Sequence, residues 1–330
     1  MFNSNLHLHV NLINHKKLEV TPTRDGFGRG LVEAGKRDNT IVALTADLAE
    51  STRVEWFKNE FPDRFIEVGV AEQNLVTVAS GMASLGKIPF VTSYATFSPG
   101  RNWEQIRTTT AINNQPVKII GCHAGLTVGP DGATHQALED IAIMRVLPNM
   151  TVIVPCDSNQ AYLATLALAS YNHPAYLRLG RSGVPTITSP ETEFTIGKSQ
   201  MIYEHPHAQV TIIACGGMVH TALVSALELE TMGIYVDVIN MHTIKPIDSQ
   251  AIINAVKKTG AIVTAEEHQI IGGLGSSVSE VVSSKYPAPI EFIGVRDTFG
   301  QSGTPEQLMN HYGLTQQSII DAVERVITRK

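Results

Sequence analysis

Ile66-Glu67-Val68-Gly69-Val70-Ala71-Glu72-Gln73-Asn74, running on into Leu75-Val76-Thr77-Val78-Ala79-Ser80-Gly81-Met82-Ala83, decides how the rest of the chain is read. The stretch opens with apolar residues of strand type and then takes up a helical pattern. Leu75, Val76, Val78, Ala79, Met82 and Ala83 fall on one broad apolar face at that spacing. Glu72 lands near the first helical turn, where the helix dipole favours a carboxylate. That alone would account for a glutamate on a surface helix. Here the approach and the helix behind it are too apolar for a solvated surface. The reading therefore puts Glu72 partly buried beside a cleft, where a carboxyl can share a proton with a partner base.

Downstream, the buried-looking strand Ile88-Pro89-Phe90-Val91-Thr92-Ser93 runs into Tyr94-Ala95-Thr96-Phe97, and a helical stretch begins at Asn102. Two aromatics past the carboxyl end of a strand suit a flat heterocycle, because ligands of open α/β sheets bind at that edge. Packing in the core explains them as well. A second strand, Val117 to Cys122, opens into a glycine-rich loop holding His123, Asp131 and His135. Such loops collect functional groups, although Asp131-Gly132 also reads as a surface turn. Leu177-Arg178-Leu179-Gly180-Arg181-Ser182 closes another strand, and an arginine there can hold phosphate through paired, charge-assisted bonds. Asp47 and Ser51 follow the strand that starts at Ile41. Thr23-Arg24-Asp25-Gly26-Phe27-Gly28-Arg29-Gly30 is not a dinucleotide fingerprint, because no strand precedes it and an amphipathic helix runs through it. Gly272-Gly273-Leu274-Gly275 either cradles a phosphate or makes a tight strand-to-helix connection, and no catalysis is assigned to it.

Strand and helix alternate from Ile41 to Leu179, with helices expected around Asn102–Ala111 and Gln136–Val146, and again from Val210 to a last helix over Thr315–Thr328 with Thr315 as its N-cap, which predicts an α/β protein of two doubly wound domains. Each should hold a mostly parallel sheet flanked by helices. Residues 1–17 read as a tail, 18–183 as the first domain, 184–200 as a Pro- and Thr-rich linker and 201–330 as the second domain. His7, His9 and His15 in the tail could meet a metal, but a loosely held terminus is the better reading, and no metal site is assigned.

The chain has 330 residues, 43% of them hydrophobic and 17% charged, with a net charge of −6. That balance suits buried cores and argues against unspecific binding to nucleic acid or anionic membrane. Cys122, Cys156 and Cys215 are sparse and unevenly spaced, the pattern of a reducing compartment. Without a basic leader or an apolar run of membrane-spanning length, the expected location is the cytoplasm.

Val-Ala-Glu-Gln-Asn at 70–74, with Tyr94…Phe97 and Glu104-Gln105-Ile106-Arg107, resembles the pyrimidine-binding domain of transketolase, a thiamine diphosphate enzyme. The resemblance covers nearly everything from Leu18 onward. It implies that Glu72 bonds the aminopyrimidine ring nitrogen, that Phe97 stacks on that ring with Tyr94 nearby, and that Asp47 faces the cofactor. It also implies that His123 and Asp131 touch the sugar, that His135 works in proton transfer at the reactive end, and that Ser51 and Arg181 hold the substrate phosphate. The implied reaction moves a two-carbon ketol unit from a ketose phosphate to an aldose phosphate, as in the pentose phosphate pathway.

Two related readings share the architecture: the β subunit of 2-oxo acid dehydrogenase complexes and 1-deoxyxylulose-5-phosphate synthase, both decarboxylating. The His123…Asp131…His135 loop and Ser51 favour sugar-phosphate transfer. A regulatory copy without catalysis is the non-enzymatic alternative, and joint retention of Glu72, Phe97, His123, Asp131 and Arg181 opposes it. The family's Gly-Asp-Gly motif for magnesium diphosphate is missing. Asn113-Asn114 is present, but the nearest Asp-Gly, Asp131-Gly132, follows it in the wrong order. The chain thus resembles the C-terminal section of a split transketolase. The expectation is a partner, an N-terminal subunit that holds the diphosphate and its Mg2+ or Ca2+, in an assembly of two copies of each chain.

Overall fold

The computed structural model describes residues 1–3, 6–8, 12 and 17–330. His9 and His15 lie outside them. The first large sheet has seven strands in the order Thr243–Lys245, Thr151–Ile153, Ala175–Arg178, Lys118–Cys122, Ile88–Tyr94, Ile41–Thr45 and Phe65–Glu67. All are parallel except Thr243–Lys245, which pairs antiparallel with Thr151–Ile153. Ile41–Thr45 is buried along its whole length, as a strand covered by helices on both faces must be. From it the chain steps to Phe65–Glu67 on one side and then back to Ile88–Tyr94 on the other. The order reverses there, which opens a crevice at the carboxyl ends of these strands. Glu72, Tyr94 and Phe97 all follow strands that end at that edge.

The second sheet has five strands in the order Ile290–Val295, Ile262–Gln269, Val210–Ala214, Val236–Asn240 and Gln200–Tyr203. Four are parallel, and Gln200–Tyr203 joins antiparallel across a bulge. Both sheets are thus mostly parallel and flanked by helices, as the alternation predicts. The described first residues are not free of the body: Phe2 bridges to Tyr203, and the Asn3 amide donates to Ile202 O at 3.1 Å. At the start of the expected linker, Gly183–Pro185 spans the expected boundary and pairs with Val20–Pro22 in a two-stranded ribbon. Thr243–Lys245 crosses from the second half of the sequence to edge the first sheet, so the halves interlock. Among the described residues no helix is long and apolar enough to cross a membrane.

Several elements differ from expectation for identifiable reasons. The helix expected from Gln136 starts only at Asp140, because the side chain of Gln136 and the backbone of Ala137 are engaged with the preceding loop. The helix expected over 102–111 is one α-turn, Trp103–Gln105, that widens into a π-turn at Ile106–Ala111. Pro305–His311 was not expected. Its signal is nonetheless in the sequence: proline at the first helical position and a Thr304–Gln307 capping box. Thr315 does cap the last helix, accepting from the Ser318 amide.

The closely spaced glycines near the start lie on the helix Thr23–Arg37, which packs against Ser158–Ala169. A Cβ at Gly26 would lie 1.7 Å from Ser158 O, so glycine is what lets the two helices touch. Gly26→Ala is therefore expected to force them apart and cost about 1–3 kcal/mol, as overpacking does. Chemical denaturation measures this, and an unchanged midpoint would contradict the packing argument.

Candidate active site at the sheet switch point

Glu72 is the first residue of the helix Glu72–Ser84, whose buried side, including Leu75, Val76, Ala79 and Ala83, rests on the first core. That docking draws the carboxylate inward, and only 5% of the residue is exposed. Asn102, itself buried, anchors the turn by donating to Glu72 O at 2.9 Å. The carboxylate's partner is Arg101, whose Nη1 lies 3.3 and 3.4 Å from its two oxygens. The same guanidinium carbon stands 4.5 Å from the centre of the Phe97 ring. Arg101 thus spans an acceptor and an aromatic face while remaining more than half exposed.

Tyr94 continues the arrangement. Its ring is 6.0 Å from that of Phe97 and 3.9 Å from that of His123, nearly parallel to both. One face of Tyr94 is therefore taken by His123, while the half-buried ring of Phe97 lies under the Arg101 guanidinium. His135 meets the edge of this group, 5.4 Å from Phe97, and its Nδ1 pairs with Thr134 Oγ1 at 2.9 Å.

His123 is buried, with Arg24 Nη1 3.0 Å from its Nε2. A guanidinium only donates, so Nε2 accepts and the ring proton sits on Nδ1, a buried atom with no protein partner. Arg24 also donates to Ser51 O at 2.9 Å, and Arg53 Nε donates to Asp25 Oδ1 at 2.7 Å. Arg181 donates to Val128 O at 2.6 Å and lies 3.6 Å from Asp131. Burial, followed by the Arg53 charge, lowers the pKa of Arg24 below its ordinary value. The site is electropositive and would gain from an anion.

The structure thus links eight of the nine sequence-derived candidates. Glu72 reaches Phe97 through Arg101, Phe97 touches Tyr94 and His135, and His123 leads through Arg24 to Ser51. Arg181 and Asp131 complete the loop side. Asp47 stands apart: it is exposed, has φ +59°, and its amide donates to Glu67 Oε1 at 2.8 Å. Ser51 offers a hydroxyl bonded only at 3.4 Å, to Leu48 O.

Arg24, Arg53 and Arg101 were missed in the sequence. Arg24 belongs to a helix start and Arg101 to a connecting turn, so neither spacing nor residue type marks them. The glycine turn at 272–275 is satisfied internally, because the amides of Leu274 and Gly275 already donate to Glu266 Oε2 and Oε1 at 2.7 and 2.8 Å. All three cysteines are buried and free, and burial pushes the Cys122 thiol up to about 12. Among the described residues no group of three or more His, Cys, Asp or Glu is placed to hold a metal ion.

Burial, then the charges of Arg24, Arg181 and Arg53, pull His123 from 6.5 down to about 3. The fold therefore holds this ring neutral at pH values where the unfolded chain would protonate it. Its contribution to stability is complete above about 6.5 and is lost as pH falls towards about 3. Histidine-resolved NMR should show no titration of His123 between about pH 5 and 8. A midpoint near 6.5 would contradict the placement.

Comparison with known proteins agrees with this geometry. Residues 20–186 match the family described as transketolase, pyrimidine binding domain, and residues 199–319 match transketolase, C-terminal domain. The 6-deoxy-6-sulfo-D-fructose transketolase subunit SqwH of a Clostridium species is 41% identical over 314 residues, 95% of this chain and 97% of that one. The putative transketolase C-terminal section of Methanocaldococcus jannaschii is 44% identical over 299 residues, 90% of this chain and 93% of the relative. A solved structure described as a split gene transketolase, inactive beta4 tetramer, superposes with a TM-score of 0.87 at 45% identity, covering 93% of this chain and 99% of that chain. The matches run the length of both the switch-point sheet and the second sheet, and the chain belongs to the transketolase family as one of its C-terminal subunits.

Proposed function

We propose that this chain is the C-terminal subunit of a thiamine diphosphate-dependent transketolase that moves a two-carbon ketol unit from a ketose phosphate to an aldose phosphate. The observation that carries the reading is the continuity of Glu72, Arg101 and Phe97 with the electropositive floor around His123. The residues present fit the cofactor's pyrimidine. A nearly buried carboxylate whose one protein partner is an exposed arginine lies beside a half-buried aromatic ring. Bound thiamine diphosphate would supply the carbanion chemistry that protein side chains lack.

In this reading Arg101 yields its place, Glu72 holds a proton at the pyrimidine ring nitrogen, and Phe97 stacks on the ring. Asp47 lies at the same sheet edge as a weaker cofactor contact. His135 moves protons at the reacting carbons. His123, kept neutral, and Asp131 bond sugar hydroxyls. Arg24, Arg181 and Ser51 hold the phosphate end through charge-assisted bonds. The subunit that carries the diphosphate and its Mg2+ or Ca2+ is a separate N-terminal chain, paired two-to-two with this one in the cytoplasm. The names of relatives that are themselves sections or subunits support the partner. We place the domain boundaries at 18–183 and 201–330, with 1–17 as tail and 184–200 as linker.

A second donor is favoured by one observation. The relative at 41% identity is named for a sulfonated ketose, and a cluster of arginines accepts sulfonate as readily as phosphate.

One assay tests the reading and separates the donors: the assembled enzyme is given xylulose 5-phosphate, 6-deoxy-6-sulfofructose or pyruvate, each with ribose 5-phosphate as acceptor. Ketol transfer from a ketose is expected, and Glu72→Ala should lower it by about ten-thousand-fold, the top of the range for general acid–base groups. Turnover of pyruvate alone, or near-normal transfer by the variant, would overturn the assignment.

A further inference from the structure

We propose that the second domain sets the shape of the substrate loop, with Glu267 as a positioning residue that acts through Thr127 on Arg181 and Asp131; this rests on the sugar-phosphate reading above. Glu267 belongs to the second sheet, on the strand Ile262–Gln269, yet its Oε1 accepts the amide of Thr127 in the first domain at 2.7 Å. Glu267 is held in place in turn. Its carbonyl accepts Arg178 Nη2 at 2.9 Å, and Arg178 Nε is bonded to the buried Asp140 at 2.8 Å.

The loop's own domain secures the other side of the same residues. Thr127 O accepts Ser182 Oγ at 2.8 Å, and the next carbonyl, Val128 O, accepts Arg181 Nη1 at 2.6 Å. A displacement of Thr127 is therefore passed directly to the arginine assigned to phosphate, and through it to Asp131 at 3.6 Å.

A second contact closes the far end of the loop. Gln136 Nε2 donates to Leu126 O, Gly129 O and, across the domain boundary, Gln301 O at 3.2, 3.3 and 3.0 Å. The surfaces meet so closely that side chains are excluded on both sides. A Cβ at Gly125 would lie 2.3 Å from Glu267 Oε1, and one at Gly300 would lie 1.8 Å from Gln136 Oε1. Gly125, Gly129 and Gly132 all take positive φ in this loop, so its shape depends on the contacts it receives from both domains.

The test uses Glu267→Met, which keeps the length of the side chain but removes the acceptor, and Glu267→Gln, which keeps the acceptor. In the assembled enzyme, Glu267→Met should raise KM for the phosphorylated ketose about tenfold, the worth of one charge-assisted hydrogen bond. The affinity for thiamine diphosphate should not change, and Glu267→Gln should restore KM to within about twofold. Hydrogen exchange on the chain should show amides 125–135 opening faster in Glu267→Met, while those of 72–84 are unchanged. Gln136→Met, isosteric and without donors, should show the same pattern if Glu267→Met does not fold. In the unmutated chain the Thr127 amide should exchange as slowly as those of the strand Lys118–Cys122, and fast exchange there overturns the proposal without any variant. Equal losses of substrate and cofactor affinity, or an unchanged KM in an active assembly, overturn it as well. If the unmutated assembly transfers no ketol unit, the sugar-phosphate reading fails and loop exchange alone decides the positioning.

Discussion

A carboxylate removed from water must be met by hydrogen-bond donors or else lose its charge, and in this chain that constraint falls on Glu72. Docking of the helix Glu72–Ser84 onto the first core leaves the group only 5% exposed. The core cannot supply a donor, so one comes from the single open side, as Arg101 at 3.3 Å. Because that donor is an exposed side chain laid over Phe97, it can be replaced without disturbing the fold. A ligand offering a ring nitrogen and a flat face would satisfy the carboxylate and the aromatic together. The strand order that reverses beside Ile41–Thr45 brings this open side to the same crevice as Tyr94, His123 and Ser51.

Charge divides the crevice into two halves with different chemistry. Around Glu72 there is one carboxylate, one movable cation and aromatic surface. Around His123 there are Arg24, Arg53 and Arg181, and their repulsion, added to burial, keeps the imidazole neutral. An anion placed among these arginines would relieve the repulsion, while the neutral ring beside it serves as a hydrogen-bonding group. On the proposed reading the first half takes the cofactor's pyrimidine and the second takes the anionic end of the sugar.

The fold was largely legible because its signals are local. Continuous apolar runs such as Ile41–Thr45 and Val210–Ala214 mark buried parallel strands, and the pattern behind Glu72 marks a docked helix. What escaped the sequence is non-local. Thr243–Lys245 edges a sheet built from the other half of the chain, and nothing in three residues announces such a destination. Glu266 fills the glycine turn at 272–275, so a motif that suggests an external anion is satisfied internally. Among site residues, Glu72, Phe97, His123 and Arg181 stood out because a strand or a glycine-rich loop precedes each one. Arg24 and Arg101 did not, since an arginine on a helix start or in a turn looks like any solvated cation until tertiary structure brings it to a histidine or a carboxylate. Tyr94 reads in the sequence as a cofactor ring beside Phe97, and its 3.9 Å stack on His123 is a further contact that no local pattern announces.

On the proposed reading this crevice is one half of a site, completed by an N-terminal transketolase subunit. The most direct measurement is thiamine diphosphate binding by calorimetry, in the presence of Mg2+, to the purified chain alone and during titration with that subunit. Weak binding is expected for the chain alone, and tight binding that saturates near one partner per chain, with ketol transfer rising in parallel. Tight cofactor binding and full transferase activity by the chain alone would contradict that reading.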